Sequence, residues 1–310
     1  MINTIVTNIL KENNIEEISI KPIKSSGNEH LFFINDEYVL RVTNRSIENF
    51  VNRLKQVSFI HSVQKVLISD IFSSELEYNY LICNKIPGID YIDTVLTMSD
   101  QQNADLGICI SDFLDSLHSI KGSYYDIGHY IPIIPNHVGS WKDGHIKYWE
   151  YIEKSLDKIE ISKNNASIFK EAFDYFESNV EALNYQQGPV LIHNDLHPKN
   201  IIVEKGVFSG VIDWECSQYG EPDFEYCHLI HWCLYPPSPE INLKPFLFSL
   251  LRKSKLNLNV NSFSKRQTIY QIEHEIMQII WSKGKTQSER APKIKSWLEG
   301  QVDTFLDEIK

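Results

Sequence analysis

The stretch VLIHNDLHPKNIIVEKGVFSGVIDWE, residues 190–215, decides how this chain is read. It opens with an apolar run that delivers His193, passes through a polar turn from Asn194 to Lys199, and resumes as an apolar run from Asn200. After Lys205-Gly206 a third run ends on Asp213. Short apolar runs bounded by turn residues read as strands. The expected strand–turn–strand–strand path gathers two acids, Asp195 and Asp213, and one amide, Asn200, around a single point.

That grouping has a definite chemical use. A phosphoryl group in transit spreads negative charge over its oxygens, so its transfer needs a divalent metal to neutralise the charge and a carboxylate to take a hydroxyl proton. Asp195 is placed for the proton. Asn200 and Asp213 offer neutral and anionic oxygen ligands, which suit Mg²⁺ because that ion prefers oxygen and keeps several waters. His193 reads as a positioning residue whose ring holds the turn through its backbone. The letters H-x-D-x-H at 193–197 also admit a metallohydrolase, with Cys227, His228, His231 and Cys233 as further ligands. Such residues on an apolar helix more often pack than ligate.

Working outward, EISIKPI, HLFFI and EYVLRV between Glu17 and Val42 are rich in β-branched and aromatic residues, separated by polar corners at Ser25–Glu29 and Asn35–Asp36. A helix is expected over 46–61, and KVLISDIF and YNYLICN supply two further strands. Five strands with one crossing helix make a small sheet lobe, preceded by a short helix at 2–12. Pro87-Gly88 then marks a hinge, beyond which the apolar period changes from two to 3.6. Ser99 and Gln102 form a capping-box pattern ahead of Leu106, Ile110, Phe113 and Leu117, and further helices are expected over 143–160, 165–183, 222–234, 243–254, 264–283 and 290–308.

His193-x-Asp195-x4-Asn200 followed by Ile212-Asp213-Trp214 resembles the signature of the aminoglycoside phosphotransferase and choline kinase superfamily. FLDSLHSI at 113–120 and GEPDFEY at 220–226 are similar to further segments of that family. The resemblance implies an α+β, bilobal protein-kinase-like fold: an antiparallel nucleotide-binding lobe over 1–84 and a mostly helical catalytic and substrate-binding lobe over 85–310. It implies Asp195 and His193 as catalytic residues, Asn200 and Asp213 as Mg²⁺ ligands, and ATP as donor with GTP as an alternative. Arg41 stands where the family has a phosphate-contacting strand cation. Ser26 and Gly27 fall in the phosphate-covering loop, and backbone groups near Cys83 and Lys85 face the purine. The helix after Arg41 offers Arg53 or Gln56 where a pairing Glu is expected, with Glu48 as its acid.

The formal charge of −11 opposes nucleic-acid phosphates and favours a cationic small-molecule acceptor. No run approaches the length of a membrane span, and five cysteines without a CxxC pair, behind an N-terminus unlike a secretion signal, fit a reducing cytoplasm. An aminoglycoside-type antibiotic is the first expected acceptor. Choline, ethanolamine, a macrolide or a sugar are alternatives, as is a catalytically weak nucleotide-binding protein, in a monomer or homodimer. Trp141, Trp149, Trp232 and Trp281 could cage a cation, though core packing is the plainer reading. Glu273 and Glu275 on the 264–283 helix, with Glu221, Asp223 and Glu225, could bind amino groups of a polycationic sugar, though a solvated acidic face is the plainer reading.

Overall fold

The N-terminal sheet follows from period-two patterning. The computed structural model of the chain describes residues 2–26, 29–73, 77–127, 137–184, 187–256, 258 and 261–309. Helix α1 (Ile2–Glu12) leads into β1 (Ile20–Ser26), β2 (Glu29–Ile34) and β3 (Tyr38–Thr43). Alternate residues Phe32 and Ile34, then Leu40 and Val42, point to one face and pack with Ile5, Val6, Ile9 and Leu10 of α1. Between β2 and β3, Asn35 and Asp36 both take positive φ (54° and 61°), a turn geometry that Asn and Asp tolerate. Helix α2 (Glu48–Gln56) precedes β4 (Val66–Ser73) and β5 (Glu77–Asn84), and the antiparallel order is β1-β2-β3-β5-β4.

Past Pro87-Gly88, β6 (Ile89–Asp90) and helix α3 (Tyr91–Thr94) follow. Gly88 has φ 117°, and a Cβ there would meet Val203 O at 2.4 Å, so both backbone angle and space demand glycine. Chain contacts divide the protein into one unit of residues 1–94 with 199–215 and another of 95–198 with 216–310. The first unit therefore also holds β8 (Ile201–Glu204) and β9 (Val207–Val211), which form the sheet β6-β8-β9.

In the other unit α4 (Asp100–Leu117) starts from the capping box at Ser99 and Gln102. Next come α5 (Trp141–Leu156), α6 (Lys163–Asn179) and β7 (Val190–Ile192), and then β10 (Gln218–Gly220), which pairs with β7. Helices α7 (Tyr226–Leu234), α8 (Lys244–Lys253), α9 (Asn261–Trp281), α10 (Gln287–Leu298) and α11 (Gln301–Ile309) complete it. The single helix expected over 290–308 is two, because Gly300 takes φ 89° and ends the first. Helix α9 is buried on its polar side too: Arg266 pairs with Asp223, Gln267 Nε2 donates to Asp223 O at 2.6 Å, and Gln271 Nε2 to Cys227 O at 2.8 Å.

The expected acidic face is absent: Glu221, Asp223, Glu225, Glu273 and Glu275 are all at most 2% exposed. Each helps to hold buried donors, which is how acids survive in a core. Glu221 accepts from the Tyr125 hydroxyl at 2.5 Å and the Gln187 N–H at 3.0 Å, yet burial pushes its carboxyl up to about 7. A raised carboxyl binds its proton more tightly when folded, so its contribution is whole below the ordinary carboxylate range and is lost as pH climbs toward 7. We expect Glu221→Gln to remove roughly 3 kcal/mol of this loss, read as a smaller difference in unfolding free energy between pH 5 and pH 8 than in the native chain.

Gly107 brings α4 against α8 so closely that a Cβ would lie 2.1 Å from Phe246 O. Gly107→Ala should gain helix propensity and still destabilise by about 1–3 kcal/mol, because a backbone carbonyl cannot move aside as a side chain can. Urea unfolding measures this.

Candidate active site

Strand β7 carries the chain to His193, which has no exposed surface. The next residue, Asn194, takes φ 64°, turning the chain, and its Nδ2 donates to Cys216 O at 3.1 Å. Beneath the turn, Glu225 accepts the His193 N–H on Oε2 at 2.6 Å and the Asn194 N–H on Oε1 at 3.1 Å. Burial alone would raise the Glu225 carboxyl, but the imidazoles of His118 and His193 and the His193 N–H outweigh it and hold the group below the ordinary carboxylate range. His193 Nδ1 accepts the Asp195 N–H at 3.3 Å, so the ring braces the residue two positions on.

The Asp195 side chain keeps 28% of its surface exposed, with His197 Nε2 3.6 Å away. The His197 ring stacks on Trp232 at a centroid distance of 5.1 Å and 19° between planes. Asp195 lines a cavity of about 800 Å³ within the helical unit, walled also by Trp232, Tyr235, Phe224 and Tyr270. Trp141 and Trp149 are buried at 1% and 3%, while Trp281 is 57% exposed.

The sheet unit holds the other expected residues. Asn200 is buried at 6% and its carbonyl accepts the Ile212 N–H at 3.0 Å, so it and Asp213 stand at the same end of the β8–β9 pair. Asp213 adopts φ 65°, a left-handed conformation that Asp accepts at modest cost. Arg41 on β3 draws three acids together: Glu29 at 3.1 Å from Nε, Glu215 against Nη1, and Asp213 at 3.9 Å from Nη2. Its guanidinium lies over the Phe50 ring of α2, 4.6 Å from the centroid. The partner expected from α2 thus comes from β2 and from the segment after β9, while Arg53 bonds Gln56 at 3.2 Å.

Near the end of β5, Cys83 sits buried between Val39 and Val66, and burial pushes its thiol up to about 12. The Lys85 N–H donates to Glu37 O at 2.7 Å, and its Nζ meets Asp36 Oδ1 at 2.5 Å. Ser26 ends β1 opposite Glu29, and Gly27 lies outside the described residues.

An amide and a carboxylate at adjacent strand ends form an all-oxygen donor set, which fits Mg²⁺ and not a soft metal. Among the described residues no group of three or more His, Cys, Asp and Glu could hold a metal ion. That removes the support for the metallohydrolase reading. His228 is half-buried, with its imidazole pushed down to about 4 by desolvation and by the neighbouring His231, and packs edge-on against His274. Glu225, Glu29 and Glu215 were the functional acids that pattern reading missed. The first stood in the quoted GEPDFEY segment, but nothing in the sequence shows that its side chain turns inward.

Residues 19–241 match the sequence model of the phosphotransferase enzyme family, APH. The chain belongs to this family. It is therefore a phosphotransferase, and its kinase-like fold is shared with solved aminoglycoside phosphotransferases. APH(4)-Ia matches at 15% identity and TM-score 0.67, covering 99% of both chains. The streptomycin–ATP ternary complex of APH(2'')-IIa matches at 19% identity and TM-score 0.64, covering 97% of both. A ternary complex of an APH(4)-Ia variant with AMP-PNP and hygromycin B matches at 16% identity and TM-score 0.67, covering 97% of this chain and 98% of that one. No curated protein matches the sequence. In this phosphotransferase, Glu225→Ala would strand two buried N–H groups, and an unfolding free energy lower by about 2–5 kcal/mol is expected in denaturant titration.

Proposed function

We propose that this phosphotransferase moves the γ-phosphate of ATP to a hydroxyl of a small molecule seated in the helical-unit cavity, with Asp195 as the base. The observation that carries the reading is a family member's His193–Asp195 turn, braced from below by Glu225, with Asp195 lining a cavity of about 800 Å³. A pocket of that size suits a small ligand. Asp195 takes the hydroxyl proton as the oxygen attacks phosphorus, and His193 keeps the Asp195 backbone in register. Mg²⁺, when bound through Asn200 and Asp213, would neutralise phosphate charge. Arg41 would meet the phosphates, with Glu29 and Glu215 aligning its guanidinium, and Ser26 and Gly27 would cover them.

The nucleotide belongs to a lobe over 1–84, with carbonyls near Cys83 and Lys85 reading the base, and the acceptor to the lobe over 85–310. Neighbouring structures hold AMP-PNP, ADP or GDP, which supports ATP and leaves GTP as a second donor. An aminoglycoside-type antibiotic heads the acceptor classes, supported by the hygromycin B, streptomycin and gentamicin complexes of neighbours and by the net charge of −11. Resistance to such a drug would then be the protein's role. No helix among the described residues is long and apolar enough to cross a membrane, consistent with a cytoplasmic site of action. A choline or ethanolamine type of acceptor is the second reading, favoured by the aromatic cavity walls. One ground for the weak binding protein, the missing α2 glutamate, is answered by the other acids that pair Arg41.

Asp195→Ala should lower turnover about 10²–10⁴-fold with little change in ATP affinity, followed by transfer of labelled phosphate and by nucleotide titration. Turnover equal to the native enzyme's would remove Asp195 from the chemistry.

A further inference from the structure

In H-x-D-x-H at 193–197 two imidazoles flank one carboxylate. His193 holds Asp195 through its backbone N–H. His197 faces the side chain of the same residue: its Nε2 lies 3.6 Å from Asp195 Oδ1, and 16% of its own side chain is exposed. Both residues line the cavity of the helical unit.

Three constraints fix the His197 ring. Leu196 has no exposed surface and Pro198 is buried, so the chain is anchored on either side. Pro198 also disfavours helical angles at the residue before it, which narrows the backbone of His197. The ring lies on the Trp232 indole with 5.1 Å between centroids and 19° between planes, a stacked contact that resists rotation of the imidazole. Trp232 follows Glu225 by seven residues, about two helical turns, so α7 supports the turn twice, through its backbone and through this ring. An imidazole on a loose surface loses rotamer freedom when it reaches a carboxylate, whereas this one is already held. With its proton on Nε2, the ring is a donor toward Oδ1. At 3.6 Å the two atoms stand just beyond hydrogen-bond length, a gap that catalytic hydrogen bonds commonly close as substrate is seated. We propose that His197, clamped by Trp232, is a positioning residue for the base: its Nε2–H bonds Asp195 Oδ1 and fixes the plane in which the carboxylate meets the acceptor hydroxyl. His193 then sets the backbone of Asp195 and His197 its side chain. The inference rests on the reading of Asp195 as the base.

Transfer from γ-labelled ATP to hygromycin B, streptomycin and choline tests it, the acceptor with the highest native turnover serving for every variant and water standing in where none is used. His197→Leu should lower kcat ~10-fold, about the worth of one hydrogen bond, with KM for ATP and acceptor changed by no more than ~2-fold. His197→Gln, whose Nε2 reaches the position of the imidazole Nε2, should recover most of that loss. Trp232→Leu should also lower kcat, and adding it to His197→Leu should lower kcat no further, because both act through one carboxylate. Nitrogen NMR of the imidazoles supplies a readout that needs no turnover: the Nε2 signal of His197, identified by its absence in His197→Gln, should move in Asp195→Ala. Native kcat in a folded His197→Leu enzyme, a Gln variant no better than Leu, a loss confined to KM for the acceptor, or a ring signal unmoved by Asp195→Ala each overturns the positioning role. If Asp195→Ala abolishes transfer while His197→Leu leaves it intact, the base stands and the proposal falls. Native turnover in Asp195→Ala would instead remove the base itself, and with it any part for His197 in the reaction.

Discussion

A single buried carboxylate fixes the turn on which the proposed chemistry depends. Residues 193–195 leave β7 in a conformation that satisfies few of their own amides, and Glu225, at 1% exposure, takes the two N–H groups of His193 and Asn194. Charge-assisted bonds of this kind are about twice as strong as neutral ones. Because Glu225 stands at the start of α7, the turn is tied to the helical core and inherits its rigidity. Asp195 is then aimed by backbone geometry, with His193 as the intervening brace.

The acids of this protein divide by solvent. The net charge of −11 suggested an outer field that attracts cations, yet several acids of the helical unit are buried and committed within it. Asp223 is bound to Arg266, Glu275 to His231 and Arg290, and Glu221 to Tyr125. Net charge thus describes how the surface meets its surroundings, and says little about how the buried carboxylates are placed.

Much of the fold was legible because local signals agreed. Period-two runs gave β1 to β5, the Ser99–Gln102 box gave the start of α4, and the spacing of His193, Asp195, Asn200 and Asp213 gave the order of strands around the site. Three kinds of feature were not legible. Strand β10 has three residues, too few to show a period, and exists because Tyr219 and its neighbours pair with β7. The break at Gly300 lies inside an otherwise continuous helical pattern, where one glycine decides by its backbone angle. The partners of Arg41 and of the His193 turn lie 12 to 174 residues away along the chain, and no local rule connects them. Among the expected site residues, Arg41 and Asp213 are near neighbours and Asn200 stands at the next strand end, whereas Lys85 spends its N–H inside the sheet.

The choice of arginine at position 41 frees a helix. A lysine offers one point charge and leans on a single well-placed acid, but a guanidinium has five donors in a fixed fork and can hold several at once. Arg41 binds Glu29 on the adjoining strand and Glu215 beyond β9, leaving α2 to contribute only the flat side of Phe50. A segment relieved of supplying a charge can drift in length, pitch and sequence without disturbing the cation it once would have steered. Descendants of this chain could remodel α2 widely, provided an aromatic ring remains beneath the guanidinium.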